Sequence, residues 1–267
     1  MKILVTGGSG FLGMHLVENL KEIGEVFYTT RKKLNDSNSI CLDFAVDNIN
    51  ETFDVIIHNA AFIPSPENDP DPNCNIVNYV GTKKFVTNIT KSNYPMFIYI
   101  GSLSIFGGVE GDIDLSTSPI PDSKYSESKY LAESTLPLNS YIVRPGTIYG
   151  PGIRKSRFIS YACNQIKNNK DIKLYNPQQY FYLIHVLDVV DIVKRIIVKK
   201  PLQKKYNLST ERKTKLDICN QIKKHYDADC NITVVGSKTF VQKVKNYKKC
   251  SNIMNHRTFA DSIGSFL

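Results

Sequence analysis

The chain has 267 residues, 42% of them hydrophobic, enough for one large domain or a domain with a smaller appendage and too apolar for a disordered chain. Its net charge of +9 raises the question of nucleic acid, but the excess lies in separated doublets such as Lys199-Lys200, Lys204-Lys205 and Lys248-Lys249, without interleaved aromatics, which is the pattern of solvated faces. No apolar run approaches the ~18 residues of a membrane span, and with a first strand read from Lys2 no leader is expected. A cytoplasmic protein that binds neither nucleic acid nor membrane is expected.

The apolar run Ile3-Leu4-Val5-Thr6 leads into Gly7-x-x-Gly10-x-x-Gly13, followed by Leu12, Leu16, Val17 and Leu20 at helical spacing. Strand, glycine turn and helix in immediate succession open a dinucleotide-binding unit. The glycines allow a tight turn and close approach to a pyrophosphate, while the free N–H groups and positive end of the helix receive its charge. The three-and-three spacing differs from the two-then-three spacing of the dehydrogenase fingerprint and points to another Rossmann branch.

Further strands are expected at 26–30, 54–58, 97–102 and 141–144, with helical stretches between them. Ile76, Val77, Val80, Val86 and Ile89 keep a roughly helical period that ends near Asn93-Tyr94-Pro95, and a second helix should run over 125–136 until Pro137 stops it. The alternation predicts an α/β Rossmann fold: a doubly wound parallel sheet over 1–150, to which 183–200 returns. A smaller, discontinuous C-terminal substrate lobe is expected over 151–182 and 201–267.

The second strand ends in Thr29-Thr30-Arg31-Lys32. An NAD-preferring unit places a carboxylate about 20 residues beyond the glycines for the ribose 2′-hydroxyl, whereas cations there suit a 2′-phosphate. NADP is therefore the expected cofactor, with Arg31 on its phosphate, and NAD is the alternative. The six cysteines include no Cys-x-x-Cys pair and read as reduced thiols. Cys219, His225 and Cys230 belong to a helix face in this reading, and no metal site is expected.

Tyr125 and Lys129 lie one helical turn apart on one face. A phenol titrating near ~10 is a poor acid–base group at neutral pH, but a neighbouring ammonium, joined later by a cationic nicotinamide, favours the phenolate. Lowering it by about three units requires roughly 4 kcal/mol. Ser102 ends an apolar strand at the carboxyl edge, where ligands of open parallel sheets bind, and its hydroxyl can hold a substrate carbonyl while the tyrosine moves the proton. Ser102, Tyr125 and Lys129 are the candidate catalytic residues.

Beyond these residues, the chain carries Leu42-Asp43-Phe44, His58-Asn59-Ala60-Ala61, Asn78-x-x-Gly81-Thr82, Gly101-Ser102 through Phe106-Gly107, Arg144 to Pro151 and His185-Val186-x-Asp188-Val189. With these motifs it resembles the extended short-chain dehydrogenase/reductases, the NAD-dependent epimerase/dehydratase family of nucleotide-sugar enzymes, over roughly residues 1–200. The resemblance implies a cofactor set of Gly7, Gly10, Phe11, Leu12, Gly13, Arg31, Asp43, Phe44, Ala60, Ala61, Tyr125, Lys129 and Pro145. In that set Asp43 would meet the adenine amine, Lys129 the nicotinamide ribose and Pro145 the nicotinamide. His58 and His185 would be framework residues, and Asn78 a buried brace. Family habit also implies a homodimer through the helices near 74–92 and 125–136.

Departures from that pattern narrow the chemistry. Relatives that dehydrate nucleotide hexoses carry an Asp-Glu pair directly after the hydroxyl residue, because elimination needs its own acid and base. This chain has Leu103-Ser104. Relatives that both epimerise and reduce use a cysteine and a histidine where this chain has Ser104 and Gly152. Hydride transfer at one carbon remains: an NADP-dependent reductase of a keto group, of the 4-keto-6-deoxyhexose type, or a nucleotide-hexose 4-epimerase with retained NAD, or a dinucleotide-sensing binding protein without turnover. Thr147 stands where 4-epimerases usually have Asn, and Phe181 where many relatives have a diphosphate-binding Arg. Ser104, Thr147, Arg154 and Arg157 are the candidate contacts to a nucleotide-sugar substrate.

Overall fold

The computed structural model describes residues 1–42, 49, 51–64, 71–89, 96–235, 245–247 and 257–266. From the N-terminus, β1 (Lys2–Thr6) turns through the glycines into α1 (Phe11–Leu20), then β2 (Glu25–Thr30), β3 (Ser39–Cys41) and β4 (Val55–His58). A π-helix (Cys74–Gly81) continues directly into α2 (Thr82–Ile89), followed by β5 (Met96–Ile100), a 3₁₀ turn (Leu103–Phe106), β6 (Gly111–Ile113) and α3 (Lys124–Glu133). Next come β7 (Tyr141–Pro145), β8 (Thr147–Tyr149), α4 (Phe158–Lys167), β9 (Ile172–Leu174), β10 (Tyr180–His185) and α5 (Val186–Lys199). The chain closes with β11 (Lys205–Leu208), β12 (Glu211–Thr214), α6 (Lys215–Tyr226), β13 (Ile232–Val234), β14 (Lys245–Tyr247) and α7 (Phe259–Ser262).

Among the described residues the largest sheet has seven strands in the order β11-β7-β5-β4-β1-β2-β3, and every pairing in it is parallel. Such strands are covered on both faces, which is why β4, β5 and β7 are buried along their whole length and read as near-continuous apolar runs. One face packs on α1 and α5 through Leu12, Leu16, Val189 and Val193; the other packs through Phe85, Val86 and Ala132 of the α2 and α3 side. The chain winds from β1 outward to β3 and then crosses to β4 on the other side, so a topological switch point lies between β1 and β4. The Rossmann architecture expected from the sequence is therefore present.

A second core gathers α4, α6, β9 and the C-terminal segment around Tyr149, Ile159, Leu183, Ile218 and Phe259. Its small sheets are β12-β10-β8 and β13-β9. The segment boundaries differ from those expected. Lys205–Leu208, inside the stretch assigned to the lobe, pairs with β7 and extends the large sheet, because Tyr206 and Leu208 complete its core. Leu183–His185, expected to return to the large sheet, instead pairs with β8, although Ile184 already packs into the large sheet's core ahead of α5. Two further differences concern helices. The stretch after residue 74 begins as a π-helix, and α3 ends at Glu133, where bonds from Ser134 and Thr135 to the Leu131 and Ala132 carbonyls tighten its last turn.

Candidate active site

At the switch point, Gly7 has φ +66°, and a Cβ there would lie 2.8 Å from the Ala60 Cα. A Cβ on Gly13 would lie 2.1 Å from the Gly7 carbonyl oxygen, so the first turn of α1 presses directly on the loop. Gly10 is the N-cap of α1 and provides no side-chain cap, which leaves first-turn N–H groups without an intrahelical partner and available to an anion. Leu12 turns into the sheet core, and Phe11 lies between the two cores. Thr6 anchors the opposite wall: its hydroxyl accepts from the N–H groups of Asn59 and Ala60, each at 3.0 Å. Ala60 is half-buried and Ala61 exposed. Glycines that no side chain could replace, facing uncapped donors, form a cradle that fits a dinucleotide pyrophosphate.

Arg31 is exposed at the end of β2 together with Lys32 and Lys33. Asp36, the first carboxylate beyond β2, is engaged by the Tyr28 hydroxyl at 2.7 Å and by the Asn38 N–H at 2.9 Å. Asp43 and Phe44 lie outside the described residues.

The candidate catalytic side chains come from β5 and α3. The Ser123 hydroxyl caps α3 by accepting from the Ser126 N–H at 3.2 Å, and the Ser126 side chain returns a bond to the Ser123 N–H at 2.9 Å. This fixes the first turn, and Tyr125 with it. The Ser102 side chain lies close enough to Tyr125 to favour its ionised form, and its Oγ accepts from the Ser104 N–H at 3.1 Å. Lys129, one turn further along, is 2% exposed; its Nζ donates to the Ile100 carbonyl at 2.7 Å and sits 4.4 Å from the centre of the Tyr99 ring.

Burial pushes the Lys129 ammonium down to about 7, against a nearby Glu133 that opposes the shift. The Tyr125 phenol is raised, first by burial; the Ser102 side chain and the Arg157 guanidinium only partly offset this. The sequence reading ascribed a lowered phenol to Lys129 joined by a bound nicotinamide; in the chain by itself Lys129 donates to the Ile100 carbonyl, and burial outweighs the Arg157 charge at Tyr125. A phenol so poised is in its acid form at neutral pH.

Of the expected substrate contacts, Arg157 is half-buried at the N-cap of α4 with its charge felt at Tyr125, while Arg154 is exposed and repels Arg157. Ser104 Oγ is buried with no hydrogen-bond partner among the described residues. Thr147 is half-buried in β8 opposite Leu183, and Pro145 is buried at the end of β7. Phe181 stacks on Phe158 at 5.5 Å, and Lys215 lies over Phe158 at 5.4 Å, so this wall carries a cation although position 181 does not.

Both histidines serve the framework. His58 bridges the hydroxyls of Thr6 and Thr82 at 2.9 Å each, and burial holds it down at about 3. The His185 side chain caps α5 by accepting from the Leu187 N–H, and burial holds it at about 4. Asn78, 1% exposed on the π-helix, accepts from the Phe62 N–H at 2.7 Å and donates to the Phe62 carbonyl at 2.9 Å and to Ser128 at 3.1 Å. It ties the strip after β4 to α3. Sequence reasoning passed over Glu133, which lies one turn past Lys129 and pairs with Arg144. The spacing of Tyr125, Lys129 and Glu133, four residues at each step, was the available signal. Among the described residues no cluster suited to a metal ion is present, and the described cysteines are free thiols.

The family model described as the NAD dependent epimerase/dehydratase family matches residues 3–209. The GDP-6-deoxy-D-talose 4-dehydrogenase of Aggregatibacter actinomycetemcomitans is 31% identical over 225 residues, covering 79% of this chain and 74% of that protein. A dTDP-D-glucose 4,6-dehydratase from Dictyostelium discoideum is 25% identical over 83% of this chain, which spans 61% of that relative. Among solved structures, MoeE5 in complex with UDP-glucuronic acid and NAD superposes with a TM-score of 0.84 at 20% identity, covering 100% of this chain and 97% of that one.

Proposed function

The chain belongs to the NAD-dependent epimerase/dehydratase family, and on that premise we propose that it is an NADPH-dependent reductase of a keto group on a nucleotide-linked sugar, acting at C4 of a 6-deoxyhexose. The observation that carries this reading is the placement of the Ser102 side chain beside Tyr125, whose phenol it influences, with Lys129 buried one turn away. A relative named for the oxidation of a GDP-6-deoxyhexose at C4 supports the position, since the same chemistry run backwards is a C4 ketone reduction.

The Gly7 to Gly13 cradle and the uncapped α1 donors would hold the pyrophosphate, with Ala60, Ala61 and Pro145 along the rest of the cofactor. When bound, the nicotinamide supplies the hydride. Ser102 donates a hydrogen bond to the carbonyl oxygen and so favours charge developing there. Tyr125, whose burial keeps it protonated, gives its proton to that oxygen. Lys129 sets a positive charge behind the phenol and limits the cost of the transient phenolate. Leu103 is buried and Ser104 carries no charge, so the position after Ser102 offers no acid–base pair for elimination. Arg157, whose charge reaches Tyr125, with Arg154 beside it and Lys215 over Phe158, would meet the substrate's phosphates.

Exposed Arg31 and the engagement of Asp36 by Tyr28 support a 2′-phosphate over a ribose hydroxyl contact. The second reading, a 4-epimerase with retained NAD, draws on the NAD named with MoeE5. Denaturing the purified protein separates the two: a reductase releases little dinucleotide, whereas tightly held NAD⁺ in near-stoichiometric amount identifies the epimerase. A dinucleotide-sensing protein without turnover is disfavoured by the assembled Ser102 and Tyr125 pair. Exposed Ile76, Val80 and Tyr130 on the π-helix and α3 support a homodimer through that face. No described helix is long and apolar enough to cross a membrane.

A further inference from the structure

Behind Lys129 lies a buried ion pair that the proposed reaction does not use directly. The Arg144 Nε donates to Glu133 Oε1 at 2.9 Å and its Nη2 to Oε2 at 2.6 Å, a two-bond fork whose side chains are 4% and 7% exposed. Arg144 also donates to Asn207 of β11 at 3.4 Å and lies over the Phe106 ring, so four elements meet on it. The pair is wedged against the start of the Ser102 loop: a Cβ on Gly101 would meet Glu133 Oε1 at 3.1 Å and the Arg144 Cγ at 3.2 Å. Glu133 and Lys129 occupy successive turns of one face of α3.

We propose that Glu133, clamped by Arg144, is a positioning residue that keeps Lys129 in its charged form beneath Tyr125. The inference rests on the reading of Tyr125 and Lys129 as an acid–base pair. Its physical basis is a balance of opposing effects. Burying an ammonium disfavours its charge strongly unless an anion lies close by. Around Lys129 among the described residues are the Tyr99 ring and Ile100 carbonyl of β5, with His58 of β4 and Glu133 of its own helix interacting with its charge. Tyr125 lies one turn before it on α3, and Arg144 pairs with Glu133. His58 is neutral at physiological pH and Tyr99 stays protonated, so Glu133 is the anion of this set. The fork to Arg144 fixes its carboxylate at one distance from Lys129 and keeps it from turning towards solvent. A salt bridge made only for stability would have no need of this position, since buried pairs add little net stability over apolar packing.

The test is a pH titration of the Lys129 ε-carbon by NMR in protein carrying isotope-labelled lysine, the resonance being assigned by its loss in Lys129→Arg. Glu133→Gln should lower the Lys129 midpoint by about one pH unit, a ~tenfold loss of proton affinity. Glu133→Asp, which keeps the charge, should recover more than half of that shift. If stranding Arg144 prevents Glu133→Gln from folding, the double variant Glu133→Gln/Arg144→Gln removes both charges and should shift the midpoint in the same direction. An unchanged midpoint in the folded Gln variant overturns the proposal. The titration is read in the absence of turnover, so a wild-type protein that reduces no ketosugar would count against the reductase reading and leave this result standing. In a working enzyme, kcat of Glu133→Gln should fall off at lower pH than in the wild type, because the protonated lysine is lost earlier.

Discussion

The Ser102 side chain acts on the Tyr125 phenol and favours its ionised form, the one at the exit of β5 and the other in the first turn of α3. Two such hydroxyls of different acidity can hold one carbonyl oxygen between them, and removing the more acidic one should stop proton delivery. Tyr125→Phe is expected to lower kcat by ~10³-fold or more while dinucleotide affinity stays within about threefold. Steady-state kinetics beside a cofactor titration checks this, and retained turnover would remove Tyr125 from the acid–base role.

Gly13 faces the Gly7 carbonyl, and a Cβ would lie 2.1 Å from that oxygen. Gly13→Ala must push α1 off the loop. We expect a loss of about 1–3 kcal/mol in stability, together with at least about tenfold weaker binding of NAD and NADP alike. Thermal unfolding with and without each dinucleotide measures both, and a variant that keeps its ligand-induced shift would contradict the proposed cradle.

Arg31 discriminates between cofactors in this account. Arg31→Ala should weaken NADP by about tenfold and leave NAD within about twofold, since a charge-assisted contact to phosphate is worth ~1.5–3 kcal/mol. Equal losses for the two cofactors would exclude a contact with the 2′-phosphate.

His58 makes the fold sensitive to acid. It is buried neutral with its titration held at about 3, against 6.5 for the unconstrained ring. Below 6.5 the unfolded chain therefore takes up a proton that the folded chain refuses. The stability contributed by the neutral ring is complete above 6.5 and falls with pH, by about 1.4 kcal/mol per unit, until the folded protein titrates. His185, held at about 4, acts in the same direction over a narrower window. Urea unfolding at about pH 7, above this window, and at about pH 5, inside it, should show His58→Gln with a shallower acid slope than the wild type. An identical slope would mean that His58 is not the linked group.

The parts of the fold legible in the sequence were those whose burial is two-sided. Val55–His58, Met96–Ile100 and Tyr141–Pro145 are apolar along their length because helices cover both faces of the sheet. The glycine loop was legible because backbone crowding at Gly7 and Gly13 leaves no alternative residue. Ser39–Cys41 and Lys205–Leu208 were missed for the opposite reason. They are short edge strands whose membership depends on partners distant in the chain, Tyr28 to Thr30 and Ile142 to Pro145. The π-helix was read as an ordinary helix, since the spacing of its apolar residues does not record that Asn78 is held inward by Phe62 and Ser128. The candidates Ser102, Tyr125 and Lys129 were visible by type and spacing, but the protonation of Tyr125 was not. Burial decides that, and burial belongs to the folded chain.

The central claim is that this site transfers hydride to a ketone on a nucleotide-linked deoxysugar. Incubation with NADPH and a GDP- or dTDP-linked 4-keto-6-deoxyhexose, followed by absorbance and product chromatography, tests it directly. The account predicts one NADPH consumed for each ketone reduced, with a single deoxyhexose nucleotide as product. No NADPH consumption, with C4 epimers of a nucleotide hexose interconverting on NAD⁺ retained by the protein, would contradict it.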